Sequence, residues 1–224
     1  PAAATSPQFI DAGDAQGLAI GCREGPFAEG RAQALIPFRF SRRGPALAAG
    51  DLDGDGRDEF VLGGTSAEPA RILHANAAGR FSAVPFGTAG VPPDGPTLVF
   101  DADADGHPDV FAAKAGTAKP NGSAEYQPRL WLNDGTGTLH VAQADALPAL
   151  PFSVGALAAA DFDHDGRLDV FVGARLQPGR YPLSPRSALL ANRGGRFEDV
   201  TDAAAPALRN VGLVTSALWS DVDG

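Results

Sequence analysis

An acidic segment that recurs along the chain constrains the fold more than any other feature. "DLDGDGRDEFVLGG" begins at Asp51, "DADADGHPDVFAA" at Asp101 and "DFDHDGRLDVFVGA" at Asp161, and "DVDG" begins at Asp221. Successive copies start 50, 60 and 60 residues apart. Self-similarity at such a period predicts a repeat architecture in which each unit is one supersecondary element.

The residues around each acidic segment predict four short strands per repeat. A run of small or apolar residues precedes the segment, a β-rich run follows it, and a third run ends at an asparagine turn with Asn76, Asn133 or Asn192. Glycine and asparagine supply the positive φ that a tight hairpin needs, and the next residue is again apolar. With 28 Gly and 19 Pro, the chain leaves few windows for a helical stripe. The fold class predicted is therefore all-β, with β-propeller blades of four antiparallel strands.

The repeat also divides the chain into units. Three whole blades are predicted, preceded by a segment that we expect to supply outer strands of a preceding blade and followed by the start of a further repeat. The predicted boundaries are 1–45 for the N-terminal segment, 46–95, 96–154 and 155–213 for the blades, and 214–224 for the truncated repeat.

The spacing of the acids predicts three calcium-binding loops. Carboxylates at positions 1, 3 and 5 of a tightly coiled loop point inward, glycine at 6 permits the bend, position 7 offers its carbonyl, and an acid at 9 closes the cage. Oxygen-only ligands in that number select a hard cation such as Ca²⁺. The predicted ligands are Asp51, Asp53, Asp55, the Arg57 carbonyl and Glu59; Asp101, Asp103, Asp105, the His107 carbonyl and Asp109; and Asp161, Asp163, Asp165, the Arg167 carbonyl and Asp169.

Two other interpretations of these loops fit less well. An EF-hand needs a bidentate Glu at position 12, where this chain has Leu62, Ala112 and Val172. Polar turns without metal also favour Asp and Gly, but three such loops at matching positions disfavour that explanation. The first loop has Glu59 at position 9 where the others have Asp, so we expect its coordination to differ.

The pattern D-x-D-x-D-G-x-x-D before an apolar strand resembles the FG-GAP/VCBS repeats of the integrin α-chain propeller. The stretches "FRFSRRGPALAAGDLDGDGRDEFVLGG" and "NRGGRFEDVTDAAAPALRNVGLVTSALWSDVDG" resemble bacterial proteins of the ASPIC/UnbV and cartilage-acidic-protein type. The resemblance covers about residues 35–224 and implies a propeller, usually of seven blades, with metal-stapled loops and a role in adhesion or ligand binding. Three repeats do not close such a ring. Either the chain is a fragment, which we favour, or the N-terminal 45 residues and the C-terminal strand combine as a fourth blade.

The net charge, the apolar runs and the cysteine count limit the classes of partner and of site that we expect. The formal charge of -9 disfavours nucleic acid, because no basic patch exists to release counterions from phosphate. No apolar run of membrane-spanning length occurs, so we expect no membrane insertion. Cys22 is the single cysteine and is expected to be a buried thiol, which leaves no internal disulfide and no cysteine zinc site. Weak calcium sites would stay empty in a cytosol with little free calcium, which favours a secreted, periplasmic or cell-surface location.

The function predicted is a calcium-binding module for extracellular recognition or adhesion, with a protein or carbohydrate ligand. Two long loops, residues 114–128 and 174–185, carry residues typical of interfaces. The alternative is that each tyrosine packs its loop onto its own blade. The candidate ligand-binding residues in these loops are Tyr126, Arg175, Arg180 and Tyr181.

No catalytic constellation stands out. His74, His107, His140 and His164 lie at unrelated repeat positions, so neither a catalytic nor a zinc site is predicted on them. A propeller-scaffold hydrolase acting on glycans or esters remains the alternative from another class, but its candidate carboxylates, such as those of Glu125 and Glu198, are scattered. A third alternative is a structural spacer within a larger surface protein.

Overall fold

The computed structural model describes residues 9–37, 39–40 and 45–222, and its regular structure is almost entirely β. Three antiparallel sheets of four strands follow one another along this described part of the chain. Each sheet is a meander, because strands that are consecutive in sequence are neighbours in space. The all-β class and the four-stranded repeat unit are thereby confirmed.

The strands have the following bounds. The first sheet contains β1 (Leu47–Gly50), β2 (Glu59–Leu62), β3 (Ala70–Ala75) and β4 (Phe81–Phe86); the second contains β5 (Asp94–Phe100), β6 (Asp109–Lys114), β7 (Arg129–Asn133) and β8 (Leu139–Val141); the third contains β9 (Ser153–Ala160), β10 (Asp169–Leu176), β11 (Ala188–Asn192) and β12 (Phe197–Asp199). Helix within the described ranges is limited to α1 (Glu29–Ala32), α2 (Thr201–Ala204) and 3₁₀ turns at Ala124–Tyr126 and Pro206–Asn210. None of these described helices is long or apolar enough to cross a bilayer.

The three sheets pack side by side through their first strands. Strand β5 packs against β1 on one side and β9 on the other. This arrangement is typical of neighbouring propeller blades, whose first strands lie nearest a common axis. We therefore call the sheets blades 1, 2 and 3 in chain order. The closed ring of seven blades that the family resemblance implies stays a prediction.

Apolar side chains fill the spaces between adjacent blades. Leu52, Val61 and Ile72 of blade 1 form one buried cluster with Val110 of blade 2, and the indole of Trp131 packs against it. A larger cluster joins blades 2 and 3; its buried aromatic members include Phe100, Phe111, Phe152 and Phe197. The core thus lies between blades, so the first and second acidic loops are each positioned by their own blade and by the next one.

The N-terminal segment does not add a strand in its described part, residues 9–37, 39–40 and 45. Its polar groups bind loops of the three blades instead. The carboxylate of Glu29 accepts a 2.6 Å hydrogen bond from Thr117, and the side-chain oxygen of Gln33 accepts one of 3.0 Å from the Tyr181 amide. The described residues of this segment form no strand, and residues 1–8, 38 and 41–44 lie outside the described residues, so the assignment of the segment to a preceding blade stays a prediction.

Cys22 belongs to this segment and is exposed, so the prediction of a buried thiol is wrong. The segment lies outside the interblade cores, and the Cys22 sulfur accepts a 3.3 Å hydrogen bond from Arg71.

The described part of the C-terminal repeat lies along blade 3. The Val214 amide donates a 3.0 Å hydrogen bond to the Ala174 carbonyl, and the Trp219 indole stacks on Phe162 with the ring centroids 6.4 Å apart. No strand forms here up to residue 222. The predicted start of a fourth loop rests on Asp221 and Asp223, and Asp223 lies outside the described residues.

Candidate metal centre

Each acidic loop joins the first and second strands of its blade. The Asp at position 1 shapes the loop through its carboxylate. Asp51 Oδ1 accepts hydrogen bonds from the amides of Gly54 (2.8 Å) and Asp55 (3.1 Å), and Oδ2 accepts one from Gly56 at 2.9 Å. Asp101 accepts the same three bonds, so one side chain satisfies the backbone donors of a very tight coil.

The coil requires left-handed backbone at two positions. Position 6 is glycine in every loop, and Gly106 has φ +91°. Position 4 is also left-handed, with φ +75° at Gly54, +66° at Ala104 and +58° at His164. Because a left-handed residue with a Cβ is strained, the second and third loops keep strain that the first avoids.

The acid at position 9 is buried in all three loops, where Glu59, Asp109 and Asp169 each have 0% of their surface exposed. Asp109 Oδ2 accepts a 2.8 Å hydrogen bond from the Ala102 amide, and Oδ1 accepts one of 2.8 Å from the Asn133 amide. Asp169 is held in the same way by Phe162 and Asn192. The loop therefore closes at position 9, where the apolar second strand begins.

Burial raises the pKa of all three of these acids. The pKa of Asp109 rises to about 6, because desolvation disfavours its charge and Asp103 and Asp105 lie nearby. Desolvation is also the largest cause of the raised pKa of Asp169 and of Glu59. A cation bound in the loop would offset this cost by favouring the charged form of the acid.

In the second and third loops, positions 1, 3 and 9 converge. Each residue offers a carboxylate oxygen, and these oxygens lie within 4.8 Å of one another. The position 5 acids stay outside these groups. The converging residues are Asp101, Asp103 and Asp109 in the second loop and Asp161, Asp163 and Asp169 in the third. Groups of oxygen ligands such as these could hold a hard cation.

The first loop is arranged differently. Asp51, Asp53 and Asp55 converge with one another, whereas Glu59 groups with Asp53 and His74. The strand register explains this, because Phe60 pairs with Leu73 and the next pair along is therefore Glu59 and His74. The place of His74 in this group was not predicted from the sequence, because the register between β2 and β3 is needed to see that it faces a loop residue.

Arginine side chains compensate part of the loop charge. The Arg57 guanidinium pairs with Asp55, and Arg167 pairs with Asp165 at 2.5 Å. Arg193 reaches the third loop from the turn after β11, with Nη1 3.0 Å from Asp163 Oδ2. The ligand role of the position 7 carbonyls, including that of His107, stays a prediction.

Two asparagines do more than form turns. The side-chain amide of Asn133 donates to the Leu52 carbonyl of the preceding blade's loop at 2.7 Å, while its backbone amide holds Asp109. Asn192 joins the Ala102 carbonyl and Asp169 in the same way. Asn76 lacks this role, because Ala75 occupies the corresponding final position of β3.

Tyr126 is fully buried, so its side chain cannot meet a surface ligand in this conformation. Its hydroxyl lies 3.2 Å from the Gly116 carbonyl and 3.1 Å from the Lys119 carbonyl, and burial raises its pKa to about 12. These contacts support the alternative in which this tyrosine packs its own loop.

Arg175 lines a cavity of about 420 Å³, formed where the first strands begin and thus at the end opposite the acidic loops. Leu47, Asp94 and Ser153 line it from β1, β5 and β9, and the Arg175 guanidinium lies 4.7 Å from the centre of the Phe40 ring.

The other two candidate residues are not part of this cavity lining. Arg180 is exposed and Tyr181 is half-buried, and neither lines the cavity. The four candidate ligand residues therefore do not form one site.

Comparison with known sequences agrees with the repeat. A sequence model described as an FG-GAP-like repeat matches residues 51–112 and 101–172. Each match begins at the first Asp of one loop and ends in the second strand of the next blade, and together they span more than half of the 224 residues. No curated protein matches the chain.

Proposed function

This chain belongs to the FG-GAP-like repeat family, and on that premise we propose that it is a calcium-binding propeller module for extracellular ligand recognition or adhesion. Calcium has a structural role in this proposal, and the ligand is a protein or a carbohydrate.

The observation that carries the proposal is the repeated convergence of three carboxylates in the second and third loops. Ca²⁺ takes six to eight oxygen ligands, so backbone carbonyls and water would complete each shell. Asp109 and Asp169 are fully buried, and a divalent ion would compensate charge that burial makes unfavourable. The same chemistry in two blades favours a shared structural purpose.

Calcium would act as a staple, because the first loop is tied to blade 2 through Asn133 and the second loop to blade 3 through Asn192. With dissociation constants of about 10⁻⁴ to 10⁻³ M, as in extracellular modules, millimolar calcium would add about 0.5 to 1.5 kcal/mol of stability per site. Because sites of this affinity fill at millimolar calcium, a secreted, periplasmic or cell-surface location is part of the proposal.

The ligand would bind at the opposite end, in the cavity beside Arg175. A concave surface built from three blades with a charged side chain is typical of ligand sites and favours recognition over a spacer role. A binding module is also proposed rather than an enzyme. The hydrolase candidates Glu125 and Glu198 lie in different blades and face Lys119 at 2.9 Å and Arg193 at 3.7 Å.

Binding of the protein to glycan and protein arrays, with calcium or with EDTA, tests this proposal. We expect binding that is reduced by EDTA and lost in Arg175→Ala, whereas Arg196→Ala, a surface arginine paired with Asp145, keeps it. Hydrolysis of a glycan or ester probe that survives Arg175→Ala would contradict the proposal.

A further inference from the structure

The first acidic loop contains a buried carboxylate oxygen that accepts no hydrogen bond from the part of the chain that the structure describes. Glu59 Oε2 accepts a 2.9 Å hydrogen bond from the Leu52 amide, but Oε1 is buried without a hydrogen-bond partner among the described residues. In blades 2 and 3 the corresponding Asp oxygen accepts an amide hydrogen bond from Asn133 or Asn192. Among the three position 9 acids, Glu59 is therefore the one whose second carboxylate oxygen lacks this amide hydrogen bond.

That oxygen faces an imidazole. His74 Nδ1 lies 3.9 Å from Glu59 Oε1, which is too long for a hydrogen bond. A carboxylate oxygen of Asp53, an oxygen of Glu59 and a ring nitrogen of His74 all lie within 4.8 Å of one another. Blades 2 and 3 have Leu132 and Ala191 where blade 1 has His74, so this donor set occurs in blade 1 alone among the three blades described.

The neighbouring blade closes one side of the cluster. A Cβ at Gly137, in the turn after β7, would lie 3.4 Å from Asp53 Cβ and 3.5 Å from His74 Cε1. The side chains of Asp53 and His74 are only partly buried. An ion could therefore enter from solvent while Glu59 stays inside.

We propose that Asp53, Glu59 and His74 bind a first-row transition metal ion, with Zn²⁺ as the representative ion. The site goes beyond the calcium module proposed above, and it does not depend on calcium binding in the second and third loops. It revises the expectation of three calcium sites to two calcium sites and one mixed-ligand site.

The donor chemistry selects this class of metal. Imidazole is a ligand suited to Zn²⁺, Cu²⁺, Fe²⁺ and Ni²⁺, whereas Ca²⁺ takes oxygen ligands. Two carboxylates balance the charge of a divalent ion. Three protein ligands leave a fourth position for water, as in open zinc sites. Ligands about 2.0–2.2 Å from zinc lie roughly 3.3 Å apart, so small side-chain rotations would close the cluster.

The rival explanation is a simple pair between Glu59 and a protonated His74. Such a pair would need no metal, and titration with zinc separates the two cases. The probes are Zn²⁺ by calorimetry and Co²⁺ by its visible absorption, each added to chelator-treated protein that has been returned to millimolar Ca²⁺. The expected result is one equivalent of bound Zn²⁺ or Co²⁺, with a shift of the His74 ring ¹⁵N resonances.

The variants use residues that the other blades already carry. His74→Ala introduces the residue of blade 3, and Glu59→Asp introduces the acid of the other two loops. Both should weaken Zn²⁺ binding at least about tenfold, since even an outer-shell partner of a metal is worth that much. His140→Ala, which removes an exposed histidine 3.6 Å from Asp134, and Asp103→Asn in the second loop should keep the Zn²⁺ equivalent.

Circular dichroism of each variant confirms that it is folded. Absence of a Zn²⁺ equivalent in the wild-type protein, or equal Zn²⁺ affinity in wild type and His74→Ala, overturns the inference. If Asp103→Asn leaves calcium binding unchanged, the calcium proposal fails. The zinc proposal is then decided independently, by the Zn²⁺ titrations of wild type and His74→Ala.

Discussion

The side-chain amide of Asn133 donates a 2.7 Å hydrogen bond to the carbonyl oxygen of Leu52, across the boundary between blades 1 and 2. Both residues are buried. Asn192 repeats the contact one blade later, with the Ala102 carbonyl as acceptor at 2.8 Å. Each asparagine also holds its own loop's position 9 acid through its backbone amide. The first acidic loop is thus bonded to blade 2, and the second acidic loop to blade 3.

Replacing Asn133 tests how much this hydrogen bond between blades 1 and 2 stabilises the fold. Asn133→Ala leaves the buried Leu52 carbonyl without that donor, and it removes the bonds that the side chain makes to Pro108, Gly135 and Gly137. We expect a loss of about 1–3 kcal/mol in the free energy of unfolding, measured by urea denaturation.

Asn121→Ala is the matched control, since Asn121 is exposed in a loop of the same blade. It should change the stability by no more than about 0.5 kcal/mol. Equal stabilities of the Asn133 and Asn121 variants would show that the interblade bond does not stabilise the fold.

The raised pKa of Asp109 predicts an unusual pH dependence in metal-free protein. Its pKa is about 6 in the folded protein, against an ordinary value of 3.8 for an aspartate, so the folded state holds the proton more tightly. The stabilisation is complete below about pH 4 and is lost as the pH rises through 6. This difference in pKa between the folded and unfolded states corresponds to about 3 kcal/mol in the free energy of unfolding.

The comparison with Asp109→Asn isolates this group from the other acids. In EDTA, the stability of wild type relative to Asp109→Asn should fall by about that amount between pH 4 and 7.5, as measured by denaturation at each pH. A difference that stays constant across the range would refute the burial argument for Asp109.

Arg193 should compete with metal in the third loop. Its guanidinium pairs with Asp163 at 3.0 Å and with Asp165 at 3.2 Å, both predicted calcium ligands. Arg193→Ala should therefore strengthen calcium binding by the third loop in calorimetry. Arg196→Ala, in the same turn but paired with Asp145, should leave the affinity unchanged. Weaker binding in Arg193→Ala would mean that the arginine supports the loop instead.

Glycine at position 4 should relieve strain in the second loop. Ala104 has φ +66°, and the first loop already has a glycine at this position. Ala104→Gly should raise the free energy of unfolding by about 0.5–1 kcal/mol, visible as a higher melting temperature.

Ala78→Gly is the control for chain flexibility. Ala78 lies in an exposed turn and is not among the left-handed residues of the described chain. It should be neutral or slightly destabilising. A lower melting temperature for Ala104→Gly would contradict the strain argument.

The local pattern of the sequence was enough to predict the blades and the loops. Apolar residues directly after Glu59, Asp109 and Asp169 mark the start of the second strands, and they require each loop to close at position 9. The alternation of turn residues and short apolar runs gives the four-stranded meander. These features depend only on neighbours in sequence.

The remaining features depend on contacts between distant segments. His74 faces Glu59 only because of the β2–β3 register, and Asn133 reaches Leu52 only because two blades pack together. Tyr126 looked like an interface residue, yet it is buried under its own loop. Cys22 was predicted to be buried from residue type alone, and the segment that carries it lies outside the cores.

Calcium binding by the second and third loops is the central claim, and calorimetric titration of chelator-treated protein tests it most directly. Asp103→Asn and Asp163→Asn should each remove one calcium equivalent and leave the other, whereas Asp145→Asn, an exposed acid paired with Arg196 outside the loops, should remove none. A wild-type protein that binds no calcium up to millimolar concentrations, or variants that retain every equivalent, would contradict the account.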